Sequence, residues 1–399
     1  MASAYRSAAG RPQSITQRPF APIAAQAIRA KGSLASNGRR AAPFRTRTVL
    51  STSTLPDDAV AGFSAASLAR RLAPYRRPSG PRGLFEIAVT VGPLMVLCGL
   101  AWFAASRHAW WGLALVPIAA GFLMRLFMIQ HDCGHGAFLP GKRLNDWLGR
   151  AIGVLTLTPY DYWQRAHAIH HATSGALDRR TIGGIDTLTV AEYRALPALR
   201  RLGYRLYRHP LVMFGLGPAF VFLVQHRLPV GLMRGGWRPW LSTMATNLAA
   251  ATLIVGLIVA FGLLPFLLIY IPVVTLAASM GVWLFFVQHQ FEATHWARDG
   301  AWEFHEAAFR GSSHYDLPTP LRWLTANIGV HHVHHLSSRI PFYRLGQVMR
   351  DEPALREAGR LTLWQSLGCV SLSLWDEAAG RLVSFRQAAT GRAAPGAPI

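Results

Sequence analysis

Three compact histidine clusters mark where this chain could do chemistry: HDCGH at His131 to His135, HAIHH at His167 to His171 and HHVHH at His331 to His335. Neutral imidazole is a common metal ligand. The chain has 16 histidines, and nine fall in these clusters. Packing gives no reason to gather so many titratable rings, because each needs a partner if buried and each charged ring repels its neighbours. A bound metal removes both costs. Residues three and four apart on a helix share a face. So His131 with His135, His167 with His170 and His171, and His331 with His334 and His335 are each expected to aim at one point. His332 lies off that set and is left out. Isolated histidines such as His108, His209, His226, His305 and His314 are expected to carry no chemistry.

His289 is the expected ninth ligand, since it ends an apolar run among Gln288, Gln290 and Glu292. A structural zinc site takes about four ligands, so nine imidazoles are too many for one ion and suit two octahedral ones. Imidazole suits iron, and two iron ions held by neutral nitrogens keep high charge and open positions, as dioxygen chemistry needs. Asp132, Asp161, Glu292 and Asn327 are candidates to orient a ligand ring or hold a water. Glu292 and His295 form a lone ExxH, whereas soluble di-iron carboxylate bundles use two such motifs and further glutamates. No catalytic residue beyond the ligands is expected. Cys98, Cys133 and Cys369 are too few and too scattered for a disulfide framework or a cysteine zinc site.

The elements that position these residues must lie in a membrane. The charged fraction is 15%, against about 25% in soluble domains. A crossing needs about 20 apolar residues. Residues 85–105 and 109–129 form one hairpin and residues 241–262 and 264–287 a second, giving four spans. Residues 145–157 are expected to lie at the interface. Residues 211–225 are apolar but number only 15 and contain Pro218, and they are expected to be tucked at the interface. Parity agrees, because every box can share one face only if the crossings between them are even in number. Arg125, near the end of the second span, is expected to snorkel to the headgroups. The predicted fold is therefore an all-α integral membrane protein with two transmembrane hairpins and a cytoplasmic helical cap holding the histidine site. The 41 basic residues outnumber the 19 acidic ones, and they crowd the long linkers. The positive-inside rule makes that face, with both termini, cytoplasmic, and the expected location is a bacterial inner membrane. Residues 1–83 are expected to be a basic, largely disordered region, 84–350 the membrane domain and 351–399 a cytoplasmic tail. The basic region lacks the aromatic interleaving and fold signature of nucleic-acid binding.

The sequence resembles the membrane-bound fatty acid desaturases, in the branch of the delta-12 (omega-6) acyl desaturases. The likeness runs over most of residues 80–355. It rests on HDCGH followed by Phe138, on YWQRAHAIHHATSG with LDRR and TLTVAEY, on VQHQFE at 287–292 and on NIGVHHVHHLSSRIPFYRL at 327–345. It departs at Ala176, Gly184 and His295, none of which is a ligand position. The resemblance assigns as iron ligands His131, His135, His167, His170, His171, His289, His331, His334 and His335, the set already reached by spacing. It implies an acyl-lipid or acyl-carrier-linked substrate, dioxygen, and removal of two hydrogens from adjacent methylenes to leave a cis double bond. With no HPGG heme motif and no flavin or nicotinamide fingerprint, electrons are expected from a separate ferredoxin or cytochrome b5-like carrier and its reductase. Acyl hydroxylases and carotenoid ketolases or hydroxylases share such boxes and are the nearest alternatives. A histidine-rich metal transporter would place ligands at the membrane midplane, where these spans have none.

Overall fold

Long runs of Leu, Val, Ala and Phe leave no polar group but the backbone to satisfy, and in lipid a helix satisfies its own. The computed structural model describes residues 65–180 and 182–390. The first 50 or so residues, expected to be a disordered tail, lie outside the described part. Among the described residues four helices are long and apolar enough to cross a membrane: α2 (Gly80–Ser106), α3 (Trp110–Gly134), α9 (Trp237–Phe261) and α10 (Leu263–His289). The chain is an integral membrane protein built on two helical hairpins. α3 is the most buried of the four, packed between α2 and α10, while α9 faces outward along most of its length.

Both hairpins run past their expected ends. α3 continues through His131 to Gly134 and α10 through His289. Box one and His289 therefore sit on the last turns of spans rather than after them. Hydropathy marks where the side chains become polar, but the backbone hydrogen bonds carry the helix beyond that point.

Between the hairpins lie α4 (Lys142–Leu155), α5 (Tyr160–Thr173), α6 (Val190–Ala195), α7 (Ala198–Tyr207) and a bent segment of which α8 (Gly217–Leu223) is the middle. α4 exposes Leu144 and Trp147 beside basic Lys142 and Arg143, as an interfacial helix does. α7 exposes Leu199, Leu202 and Leu206 along one side. The segment at Val212–Arg227 meets α7 at 59°. Its Phe214 packs on Trp283 and Phe286 near the end of α10, with ring centroids 5.1 Å apart. It does not cross. Arg165 on α5 donates to the Gly235 carbonyl just before α9 at 3.2 Å, so the chain has returned to the face it left.

The cap is completed by α11 (Phe304–Arg310), α12 (Thr319–Leu324), α13 (His331–Leu336), α14 (Phe342–Asp351), α15 (Leu363–Cys369) and α16 (Phe385–Thr390). The all-α class holds, with two small sheets added that were not expected. β1 (Leu188–Thr189) pairs with β4 (Leu372–Asp376), which pairs with β5 (Arg381–Ser384). β2 (His314–Asp316) pairs with β3 (Arg360–Thr362). These pairings tie residues 360–384, set apart in the sequence reading as a tail, into the cap. A short helix, α1 (Ala65–Arg71), likewise lies inside the segment 1–83. Leu68, Ala69 and Leu72 share one buried side of it, and Arg71 pairs with Glu352 at 2.6 Å.

Arg125 corrects another expectation. Instead of reaching the headgroups it is buried, paired with Glu86 of α2 and hydrogen-bonded to Thr90. A carboxylate on the neighbouring span offers the cation a closer partner than the membrane surface does.

Candidate metal centre

Each histidine box lies on a helix. Box one ends α3, box two fills the last turns of α5, and box three is α13. His289 closes α10. The packing of α3, α5 and α10 brings all nine expected ligands together, in two groups. His131, His135, His167, His171 and His334 form one. His170, His289, His331 and His335 form the other. Within each group one ring nitrogen per residue lies within 4.8 Å of all the rest.

The grouping corrects the one-box, one-point expectation. In every box the i and i+4 histidines share a centre: His131 with His135, His167 with His171, His331 with His335. The i+3 histidine of the second and third boxes crosses over, so His170 joins His331 and His335 while His334 joins His167 and His171. Residues i+3 and i+4 lie on opposite sides of residue i around the axis, about 100° apart. Shared face and shared ion are therefore different conditions. The two centres interlock, with the His171 and His335 rings stacked at 4.1 Å and 12°.

The nitrogen spacings say what could sit there. His167 Nε2 lies 3.0 Å from His131 Nε2 and 3.1 Å from the Nε2 atoms of His135 and His171. His334 Nε2 is 3.1 Å from His171 Nε2. In the second group His289 Nε2 is 3.1 Å from the Nε2 atoms of both His170 and His331. A neutral imidazole has one N–H, so one Nε2 cannot be hydrogen-bonded to three others. Nitrogens held at about 2.1 Å from a common ion lie about 3.0 Å apart at 90°, and about 3.4 Å apart at the tetrahedral angle. The observed contacts have the 90° spacing.

Protonation states agree. Burial, then the neighbouring rings, holds His135, His167, His170, His171, His331, His334 and His335 well below the usual imidazole range. Neutral rings offer lone pairs. Among the described residues neither ring nitrogen of His335 has a hydrogen-bond partner, which is costly for a buried ring unless a ligand completes it. His289 Nδ1 donates to the Gly311 carbonyl at 3.1 Å, which leaves Nε2 free to coordinate. The donor set fits two six-coordinate ions.

Of the four residues expected to support the ligands, one touches a ring. Asp132 Oδ1 lies 3.1 Å from His131 Nδ1, and its Oδ2 accepts from the Phe342 N–H at 2.6 Å. Asp161 instead braces α4 against α5, accepting from Arg150 at 2.8 and 3.0 Å. Glu292 is exposed and pairs with Arg381. Asn327 reaches the Phe342 carbonyl at 3.4 Å. In each case a nearer cation or backbone group takes the side chain, which sequence spacing could not reveal. His332 donates Nε2 to the Leu355 carbonyl at 3.0 Å and joins neither group. Trp163, stacked on His167 at 4.6 Å and 14°, went unanticipated. So did Phe285, which packs against His170 and His289. A ring near a box in sequence is too common a signal to single out.

The family profile of the fatty acid desaturases matches residues 108–366. A fatty acid desaturase of Bacillus subtilis (strain 168) is 44% identical over 319 residues, covering 80% of this chain and 90% of that relative. This chain belongs to the membrane fatty acid desaturase family. Two more distant relatives come from Synechocystis. One is an sn-1 acyl-lipid omega-3 desaturase (ferredoxin), 28% identical over 303 residues, covering 72% of this chain and 81% of the relative. The other is an sn-1 oleoyl-lipid 12-desaturase, 28% identical over 261 residues, covering 65% and 70%. In this desaturase-family chain a cavity reaches the four-histidine group, lined by His170, Thr173, Phe285, His289 and Trp296 among others. The five-histidine group does not line it.

Proposed function

We propose that this chain is an oxygen-dependent fatty acyl desaturase that introduces a cis double bond, in a delta-12-like position, into a membrane-associated acyl chain. The observation that carries the reading is the pair of interlocked histidine groups at one end of four apolar helices, in a chain of this family. The proposed ligands of two iron ions are His131, His135, His167, His171 and His334 for one, and His170, His289, His331 and His335 for the other. When bound, the irons supply the oxidising power: adjacent methylenes, dioxygen, two electrons and two protons give an alkene and two waters.

The chain's own residues do the rest. The four-histidine group has one ligand fewer than the other and meets the cavity through His170 and His289, so dioxygen and the acyl methylenes would bind there, where Phe285 and Trp296 present apolar surface. Burial of His331, His334 and His335 keeps bulk water from the centre. Asp132 holds the His131 ring in orientation. Electrons come from a separate carrier; two relatives named omega-3 desaturase (ferredoxin) support that class of donor. The basic excess supports placing the centre and both termini on the cytoplasmic face. The delta-12 position rests on the strings around boxes two and three, since relatives named for omega-3 and for 12-desaturation are each 28% identical to this chain.

The test is lipid analysis. Expressed in a host that makes only monounsaturated acyl chains, the protein should yield dienes with the new double bond on the methyl side of the existing one. A hydroxylated or keto product without a diene would overturn the reaction, and a bond elsewhere would overturn the position. Metal analysis should find about two irons per chain; one tightly held zinc and no iron would overturn the centre.

A further inference from the structure

The interior of the first hairpin holds an ion pair that the proposed chemistry does not use. Arg125 precedes His131 on α3, and 1% of it is exposed. Its guanidinium is engaged on every side. Nη2 donates to Glu86 Oε2 on α2, Nε to Thr90 Oγ1 at 3.1 Å and Nη1 to the Trp323 carbonyl. Its Cζ lies 4.1 Å from the centroid of the Trp323 ring and 5.4 Å from that of the Phe342 ring. Glu86, also 1% exposed, is held from its other side by Arg82 at 2.6 Å.

A charged pair buried in a membrane domain adds little net stability and points to a role in register or function. What this one touches says which. Trp323 lies in α12, and shortly after it come Ala326 and Asn327 with φ of 53° and 54°. Two consecutive non-glycine residues in the left-handed region persist only where their surroundings hold them. The Trp323 carbonyl that accepts from Arg125 also accepts from the Ala326 N–H at 2.9 Å. Beyond the turn, the Val330 N–H donates to the Asn327 carbonyl at 3.0 Å, and box three begins at the next residue. Asn327 also reaches the Phe342 carbonyl, and the Phe342 N–H donates to Asp132, which meets His131.

We propose that Arg125, seated on Glu86, is a positioning residue that grips the strained Ala326–Asn327 turn and so registers box three against box one. One helix, α3, then carries both His131 and the anchor for the lead-in to His331, His334 and His335. The inference rests on the reading of these histidines as metal ligands.

The test uses the full chain in lipid nanodiscs, with iron bound per chain after ferrous loading and the melting midpoint of the metal-free protein as readouts. Arg125→Met should weaken iron binding by about tenfold or more, the range for loss of a group that orients a ligand. Glycine enters the left-handed region freely, so Ala326→Gly alone should load like the wild type and should restore most of the iron lost by Arg125→Met. Arg125→Met leaves the buried Glu86 carboxylate with only the half-exposed Arg82 as its partner; adding Glu86→Gln removes that buried charge, so the pair of substitutions should restore the melting midpoint but not the iron. If Arg125→Met does not fold, Arg125→Lys serves: it keeps a charge for Glu86, loses the fork that reaches Trp323, and should load less iron at a near-normal midpoint. The proposal is overturned if the Arg125 variants load like the wild type. It is equally overturned if Ala326→Gly rescues nothing while Glu86→Gln restores iron and midpoint together. A wild type that takes up no iron would instead overturn the ligand reading beneath it.

Discussion

His170 and His171 are neighbours in the chain but belong to different groups, whereas His170 and His335 share one. This arrangement makes a prediction that spacing alone would not. His170→Ala and His335→Ala should each retain about one iron per chain, with the same residual Mössbauer spectrum, because both deplete the four-histidine site. His171→Ala should leave a different spectrum. Matching spectra for His170→Ala and His171→Ala would refute the two-group assignment. Asp132 acts at the same scale. Asp132→Asn keeps the shape but replaces the carboxyl group that faces His131 Nδ1 and accepts from the Phe342 N–H, and iron affinity should fall by about 10- to 100-fold. Equilibrium iron titration measures it, and an unchanged affinity would remove Asp132 from the support of the centre.

At the scale of elements, the C-terminal segment matters more than its composition implies. β3 gives β2 its partner, β4 gives β1 its partner, and the Leu355 carbonyl holds His332 beside the ligands of box three. Leu374 and Trp375 are buried. A chain ending at residue 350 should therefore load little iron and melt earlier than the full chain. Normal iron content in that truncation would mean that the cap stands without the segment. His314 probes the same joint. Its N–H donates to the Gly359 carbonyl and its Nδ1 to the Arg356 carbonyl at 2.6 Å. Burial lowers its pKa from 6.5, with the Arg356 hydrogen bond opposing. The unfolded chain thus takes up this proton first as pH falls, so the stabilisation present above about 6.5 is lost toward the folded value. His314→Gln should flatten that part of the acid limb in melting midpoint against pH. An unchanged slope would show that His314 does not contribute to it.

Over the whole molecule, charge and apolar surface divide the work. The spans present leucine and phenylalanine to lipid, and the basic excess lies outside them: of the formal net charge of +22, residues 1–83 carry +12 and residues 84–399 carry +10. Such a surface should speed encounter with an acidic electron carrier, and screening should weaken the effect over a Debye length of about 8 Å at physiological salt. The second-order rate of reduction by an acidic ferredoxin should therefore fall as ionic strength rises. A rate that does not change with salt would leave the basic surface to anionic lipid alone.

The histidine boxes, the two hairpins and the even number of crossings between the boxes were legible in the sequence, because hydropathy and helical period are local properties repeated over many residues. The helix ends were less so, since backbone hydrogen bonding runs on past the last apolar residue. The small sheets were not legible, because strands of two to five residues carry too little pattern and exist only through distant partners. Arg125 shows the same limit: its place in the sequence pointed to the headgroups, and only the neighbouring helix supplied Glu86 to keep it inside. The histidine clusters divide in the same way. Which residues are histidines, and that they lie on helices at a membrane surface, the sequence determined by itself. That they form two groups rather than three, with His170 and His334 exchanged between boxes, only the tertiary structure decided. The direction of each ring depends on how α3, α5, α10 and α13 cross, and no single helix carries that information.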